Sequence, residues 1–288
     1  MDKLGRISLD CFEGRGKYSV KDRDFLGFQD KRFCLCLEKR KPARYYLYCM
    51  KKIWMIFNWL FLLLFYSACG LDTFYYLNPP ISMTFIDEAA SLSNDPTKQF
   101  VSFKTAVNAD SEDVFQGTSV YYKIFNSTSQ LLSNKTTIEN IDLEYSNQGI
   151  ERLISWGYQP LTTDKVTTAN LVPAGDVKVV AIRLYNQTPD GAGNYEYPAE
   201  ITVDGQSIGI PVRSVEDKTF SFNSTAETNS IYSLPVEGQE DVSFSAGVGT
   251  NMWYVALYAV STGMSPSLTP VYSQAVYLGS LAIVPSSN

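Results

Sequence analysis

The chain has 288 residues, with 24 Lys and Arg against 30 Asp and Glu, a net charge of −6 at pH 7, and no histidine. Without histidine, Ser-His-Asp and Cys-His catalysis, histidine general bases and histidine–zinc sites are excluded. The last of the five cysteines is Cys69, so the chain beyond it is predicted to fold without disulfides.

The first 49 residues differ in charge from the rest of the chain. They carry 12 Lys and Arg against 7 Asp and Glu, net +5, whereas residues 69–288 carry 10 against 23, net −13. Such asymmetry indicates segments with different fates. Because Met50 directly precedes Lys51 and Lys52, we interpret residues 1–49 as a non-native extension from a start placed too early. A real cytoplasmic extension is the alternative.

An apolar run follows the two lysines, over residues 53–68, and is interrupted only by Asn58 and Ser67. A membrane-spanning helix needs roughly twenty apolar residues. The apolar core of a signal peptide needs only about 7–15 after a positively charged flank. The pattern therefore predicts a signal peptide over residues 50–68.

The run ends in YSACG (66–70), which resembles the lipobox of bacterial lipoproteins in a relaxed, spirochaete-like form, with Tyr66 where Leu is usual. In that motif the cysteine takes a diacylglycerol and becomes the new N-terminus. The resemblance implies that Cys69 is the lipid-attachment residue and that acyl chains anchor the protein in a membrane. An ordinary export signal or an uncleaved anchor is the alternative.

Beyond residues 69–98, predicted as the lipidated cysteine and a tether, nearly all local patterns indicate β-strands. In TSVYYKIF (118–125) the residues alternate between two faces, and WYVALYAV (253–260) is apolar on both faces, which predicts a central strand covered on both sides. Asp204-Gly205 predicts a two-residue hairpin turn, and Pro211 places that hairpin arm at an edge. Further strands are predicted at 99–107, 177–185, 219–222, 241–246 and 270–284.

One helix is predicted, within residues 146–158. Ile150, Leu153 and Ile154 have helical spacing, and Gly157 is suited to a left-handed cap. The Ser- and Thr-rich residues 126–137 are predicted to be an excursion between strands.

These elements predict an all-β fold: an Ig-like antiparallel β-sandwich with one short helix, formed by residues 99–288 as a single unit. Two small β units split near residues 170–176 are the alternative. Phrases such as ERLISWGYQPL and EITVDGQSIGIPVR, over residues 115–285, resemble a group of spirochaete lipoproteins without an established activity, so no functional residues follow from them. YVALYAV with the following turn and YS (272–273) is similar to the last two strands of fibronectin type III domains.

Few residues indicate a metal-binding or catalytic site. Asn108, Asp110, Glu112 and Asp113 place alternate oxygens together, as calcium requires, but without an EF-hand glycine, and a solvated acidic turn is the favoured interpretation. No carboxylate pair indicates a glycosidase.

Some aromatic residues are candidates for a ligand-binding surface. Tyr195 and Tyr197 beside the 189–194 loop are the candidates for an exposed patch. Trp156 and Trp253 are the tryptophans that a carbohydrate-binding face would use, and both are predicted to be core residues.

The sequence thus predicts a lipid-anchored protein of the bacterial cell envelope, periplasmic or surface-exposed, that acts by binding or structure without catalysis or a cofactor. The predicted partners are the membrane, through Cys69, and an envelope or extracellular protein or glycan. Nucleic acid is disfavoured by the net charge of −13. A histidine-free carboxylate hydrolase and a carbohydrate-binding module are the alternatives.

Overall fold

The structure is a computed structural model that describes residues 50–59, 75–83, 96–143, 146–189, 195–215, 218–227 and 230–286. The chain divides into two compact units, residues 1–72 and 73–288. In the first unit, residues 50–59 form helix α1 with exposed side chains. None of the described helices has the length and apolar composition that a membrane span requires. Cys69 and residues 60–68 of the predicted signal peptide lie outside the described residues.

The described residues of the second unit form mainly β-strands, with two helices and two short 3-10 turns, Pro96–Lys98 and Ala109–Ser111. The helices are α2 (Thr128–Ile141) and α3 (Gln148–Ser155). The strands are β1 (Ile81–Ser82), β2 (Val101–Lys104), β3 (Phe115–Phe125), β4 (Gln159–Pro160), β5 (Thr162–Thr163), β6 (Val172–Pro173), β7 (Val179–Arg183), β8 (Gln187–Pro189), β9 (Tyr195–Tyr197), β10 (Glu200–Val203), β11 (Gln206–Gly209), β12 (Pro211–Val212), β13 (Val242–Ser243), β14 (Trp253–Met264), β15 (Pro270–Tyr272) and β16 (Val276–Ile283).

Two sheets pack as a sandwich, so the all-β expectation is confirmed at that level. The first is antiparallel, with strand order β1-β2-β7-β10-β11. In the second, of seven strands, β14 lies between β3 on one side and β15 and β16 on the other. The far edge of β3 pairs with the short strands β4, β6 and β13, and the β13 pairing is parallel. Two-stranded pairs β5–β12 and β8–β9 complete the topology.

The main core lies between the two sheets, and alternation along β3 builds its larger side. Val120, Tyr122 and Ile124 belong to this core, whereas Tyr121 and Phe125 pack on the opposite face. The sequence prediction of the two faces is therefore confirmed. From the five-stranded sheet, the core receives Val101, Phe103, Val180, Ile182 and Ile201.

A second apolar layer covers the outer face of the seven-stranded sheet. Leu131 and Ile138 of α2 and Ile150 and Leu153 of α3 pack there, and all four are buried. The outward residues of β14, including Tyr258, are buried beneath them. The expected double coverage of WYVALYAV is thus confirmed, and its physical basis is a three-layer arrangement of sheet, sheet and helices.

Helix α2 contradicts the prediction of an excursion at residues 126–137. Its composition is polar, and only Leu131 and Ile138, two turns apart, are buried. The Ser127 side chain caps it by accepting from the Gln130 N–H. Helix α3 was predicted correctly, and Gly157 ends it at φ +75°. The predicted strand at 219–222 is wrong, because Thr219 makes only an isolated bridge although the neighbouring phenylalanines are buried.

The hairpin prediction is confirmed. Asp204 and Gly205 have φ of 49° and 77°, as the two-residue turn between β10 and β11 requires. Strand β11 is the edge of its sheet, as Pro211 predicted for that arm.

Residues 75–83 of the predicted tether are tied to the sandwich. Leu77 is completely buried, and β1 pairs with β2. The Asn78 backbone N–H donates to Asn108 Oδ1 at 2.6 Å, and Ser261 Oγ donates to the Asn78 carbonyl at 2.7 Å. The strands on both sides of residues 170–176 also pair with one another, β2 with β7 and β3 with β14.

Candidate binding site

The outer face of the five-stranded sheet is open at its centre. Strand alternation points Val180 and Ile182 of β7 into the core, and therefore points Ala181 and Arg183 outward. Both outward residues are only partly buried, and Lys104 of the neighbouring strand is exposed. This face thus contrasts with the outer face of the other sheet, which the helices cover.

Two rows of cross-strand neighbours form a shallow depression on this face. Ala181 and Thr202 are in register and supply small side chains to the floor. In the next row Arg183 lies opposite Glu200. The depression has a volume of about 150 Å³ and is lined by Phe100, Ala181, Ile182, Arg183, Glu200 and Thr202.

The Arg183 side chain is held between two aromatic rings. Its guanidinium carbon lies 5.6 Å from the centroid of Phe100 and 5.0 Å from that of Tyr197. Both distances are within the range of cation–π attraction. Burial lowers the pKa of Arg183, and the nearby Glu200 carboxylate opposes this shift. Because the guanidinium pKa starts so high, the group stays cationic at neutral pH.

The arrangement offers three kinds of contact in one place. Arg183 supplies N–H donors, Glu200 supplies carboxylate acceptors, and Phe100 and Tyr197 supply apolar ring surface. Their shared location on adjacent strands makes the face suited to recognising a ligand that is both polar and partly apolar.

Of the two tyrosines predicted for an exposed patch, Tyr197 contacts this site through Arg183, and the side chain of Tyr195 lies outside the described residues. Trp253 is completely buried in the core, as predicted. Trp156 is partly exposed at the end of α3, with the Arg152 guanidinium 5.2 Å from its ring. Sequence reasoning missed Arg183, although alternation within the predicted strand at 177–185 could have placed it on the face opposite the buried Val180.

The predicted acidic turn serves the fold. Asn108 is buried, and its Oδ1 accepts from Asn78, so this oxygen is already used. Glu112 and Asp113 are exposed. Among the residues that the structure describes, no cluster of Cys, His, Asp or Glu is suited to a metal ion.

A buried ion pair elsewhere joins segments of the sandwich. Arg213 donates to both Asp241 oxygens, at 2.8 and 2.7 Å, and both side chains are fully buried. The Tyr122 hydroxyl donates to the same carboxylate at 2.9 Å, and burial first and Asp241 second raise the pKa of Tyr122. Because solvent does not reach these groups, their arrangement is structural.

The fold and the site define a class of protein: a helix-covered β-sandwich with one open, mixed polar and aromatic face. Comparisons of the chain with family models, curated proteins and solved structures find no significant match.

Proposed function

We propose that the protein is a lipid-anchored component of a bacterial cell envelope whose sandwich, Ig-like in type, binds a ligand through the outer face of the five-stranded sheet. The observation that carries the binding role is the Arg183 side chain between Phe100 and Tyr197, next to Glu200, on a face that remains accessible. A face required only for stability is better served by apolar contacts beneath a covering layer.

The anchoring part of the proposal is supported by sequence and by the packed N-terminal segment. Met50, Lys51 and Lys52 lead into the apolar run that ends at Cys69. Only five residues, 70–74, separate Cys69 from the described segment that is tied to the sandwich through Leu77 and Asn78. This connection is suited to a domain that begins soon after its membrane attachment.

The Ig-like assignment is supported by the antiparallel pairing of the last two long strands, β14 and β16. This pairing is the one that resembles the end of fibronectin type III domains in the sequence.

A carboxylate hydrolase is the alternative function. A glycosidase requires two carboxyl groups about 5–9.5 Å apart around the scissile bond. Glu200 is the one carboxylate in the lining of the described depression, which favours binding.

The test of the anchor is metabolic labelling with radioactive palmitate in a bacterial host. We expect the native chain to take up label and Cys69→Ala to lose it. Cys49→Ala is the matched control, because Cys49 precedes the signal peptide and its loss should leave labelling unchanged. Equal labelling of native protein and Cys69→Ala, or no labelling of the native chain, would overturn the proposed anchor.

A further inference from the structure

We propose that the depression around Arg183 binds a neutral glycan, with one sugar ring of a longer chain lying against the outer face of the five-stranded sheet. This inference rests on the binding role proposed for that face and names the chemistry of its ligand.

The shape of the depression fits a flat ring. Its floor includes the small side chains of Ala181 and Thr202, which are in register on adjacent strands. Its volume of about 150 Å³ is below the roughly 300–1,000 Å³ of enclosed small-molecule pockets. Such an open site accommodates a single ring and lets the neighbouring sugars of a chain continue along the surface.

The lining offers what a sugar ring needs. Hydroxyl groups both donate and accept hydrogen bonds, so the Arg183 N–H groups and the Glu200 carboxylate suit them together. The C–H faces of a sugar are apolar, and the Phe100 ring of the lining lies next to those polar groups. The Phe100 and Tyr197 rings also restrict the Arg183 side chain, which reduces the entropy lost when it orders on binding.

Charge distinguishes a neutral ligand from an ionic one. Glu200 within the depression and the net charge of −13 over residues 69–288 disfavour an anionic ligand. Arg183 in the same depression disfavours a cationic one. A ligand rich in hydroxyl groups and without net charge is compatible with both residues.

The experiment is saturation-transfer NMR on the full-length protein in a zwitterionic detergent that contains no sugar. The probes are cellohexaose, maltohexaose, mannohexaose and N-acetylated chitohexaose, with hexagalacturonate as the acidic comparison. We expect saturation transfer to at least one neutral hexasaccharide, and weaker transfer to hexagalacturonate.

Two variants locate the site by different means. Tyr197→Ala removes one of the two rings that hold Arg183 and is expected to weaken binding about tenfold, because Arg183 then loses an aromatic contact that orders it. Ala181→Phe points a ring outward over the floor, fills the depression, and is expected to abolish binding while Arg183 and Glu200 are retained. Lys104→Gln, on the same face but outside the lining, is the control and should bind as the native protein does. Circular dichroism verifies that each variant melts as the native protein does.

Three results would overturn the inference: no transfer to any neutral probe, unchanged binding in both Tyr197→Ala and Ala181→Phe, or stronger binding of hexagalacturonate. Each of these leaves the palmitate labelling of Cys69 unaffected. Failure of the glycan assignment is therefore distinguishable from failure of the proposed anchor.

Discussion

The two sheets of the sandwich share one core but differ in what covers their outer faces. On the seven-stranded sheet, the outward residues Ala256, Tyr258 and Val260 of β14 are buried beneath the helices. On the five-stranded sheet, the outward residues Ala181 and Arg183 of β7 are only partly buried. The seven-stranded sheet therefore contributes to stability through both of its faces, whereas the five-stranded sheet has one face available for recognition.

The two sheets also carry ion pairs in opposite environments. Arg213 and Asp241 are fully buried beside the seven-stranded sheet. Lys178 and Asp204 are 3.1 Å apart beside the β10–β11 hairpin of the five-stranded sheet, and their side chains are 39% and 44% exposed. Burial removes solvent screening. Removing one partner is therefore expected to lower the free energy of unfolding much more at the buried pair than at the exposed pair.

The largest predicted effect is that of Asp241→Ala. It leaves the Arg213 charge buried without its carboxylate, and we expect a loss of about 3–5 kcal/mol in the free energy of unfolding. Asp241→Asn, which retains shape and one acceptor, should lose less. Lys178→Ala is the control at the exposed pair and should barely change the urea midpoint. Equal midpoints for Asp241→Ala and the native protein would contradict the buried pairing.

The covering role of the helices is tested on two adjacent residues of α3. Leu153 is completely buried against the sheet, whereas Ile154 is 50% exposed. We expect Leu153→Ala to destabilise by about 2–4 kcal/mol and Ile154→Ala by less than about 0.5 kcal/mol. Urea unfolding measures both. Equal costs would show that the helix does not pack on the seven-stranded sheet as described.

A pH effect is predicted for the same helical layer through Asp142, at the end of α2. Its Oδ2 accepts from the Ala275 N–H at 2.7 Å, and burial raises its pKa to about 6 despite this hydrogen bond. The pKa of Asp142 in the folded protein is therefore above its value in the unfolded chain, near 4. Protonated Asp142 thus favours the folded state: its contribution to the free energy of unfolding is complete below pH 4 and is lost as the pH rises through about 6.

Asp142→Asn keeps an acceptor for Ala275 but cannot ionise, so its stability gain over the native protein should increase from pH 5 to pH 7. Since Asp142 is partly exposed, solvent screening limits the gain to about 1 kcal/mol. Thermal melts of both proteins at the two pH values measure it. A gain that is the same at pH 5 and pH 7 would contradict the shifted pKa.

The smallest predicted effect compares two hairpin turns. Asp204 in the five-stranded sheet and Leu268 in the turn between β14 and β15 both have positive φ, 49° and 60°. Asp adopts this backbone conformation at little cost in free energy, whereas Leu incurs a steric cost for it. The Leu268 side chain is 81% exposed, so it gains little from packing in return. Leu268→Asn should therefore raise the free energy of unfolding by about 0.5–1 kcal/mol. A lower melting temperature for this variant would contradict the argument.

Several residues of the candidate site could be predicted from the sequence, but their meeting in one place could not. Alternation within the predicted strand at 177–185 could have assigned the outward residues of β7, and Tyr197 was a candidate for an exposed aromatic patch. That Phe100, Arg183 and Glu200 meet depends on the register of β2, β7 and β10, which are far apart in the chain. Register across such distances is set by packing of the buried faces, and no local pattern encodes it.

By itself, the sequence determined the features that rest on local chemistry: the two faces of β3, the doubly buried β14, the Asp204-Gly205 turn and helix α3. Each depends on side-chain periodicity or on a backbone conformation that few residues adopt. The tertiary structure alone decided that the polar residues of α2 form a helix, because Leu131 and Ile138 gain burial only against a sheet that is already in place. It also decided that residues 75–83 join the sandwich, because Leu77 and Asn78 find their partners about thirty or more residues away.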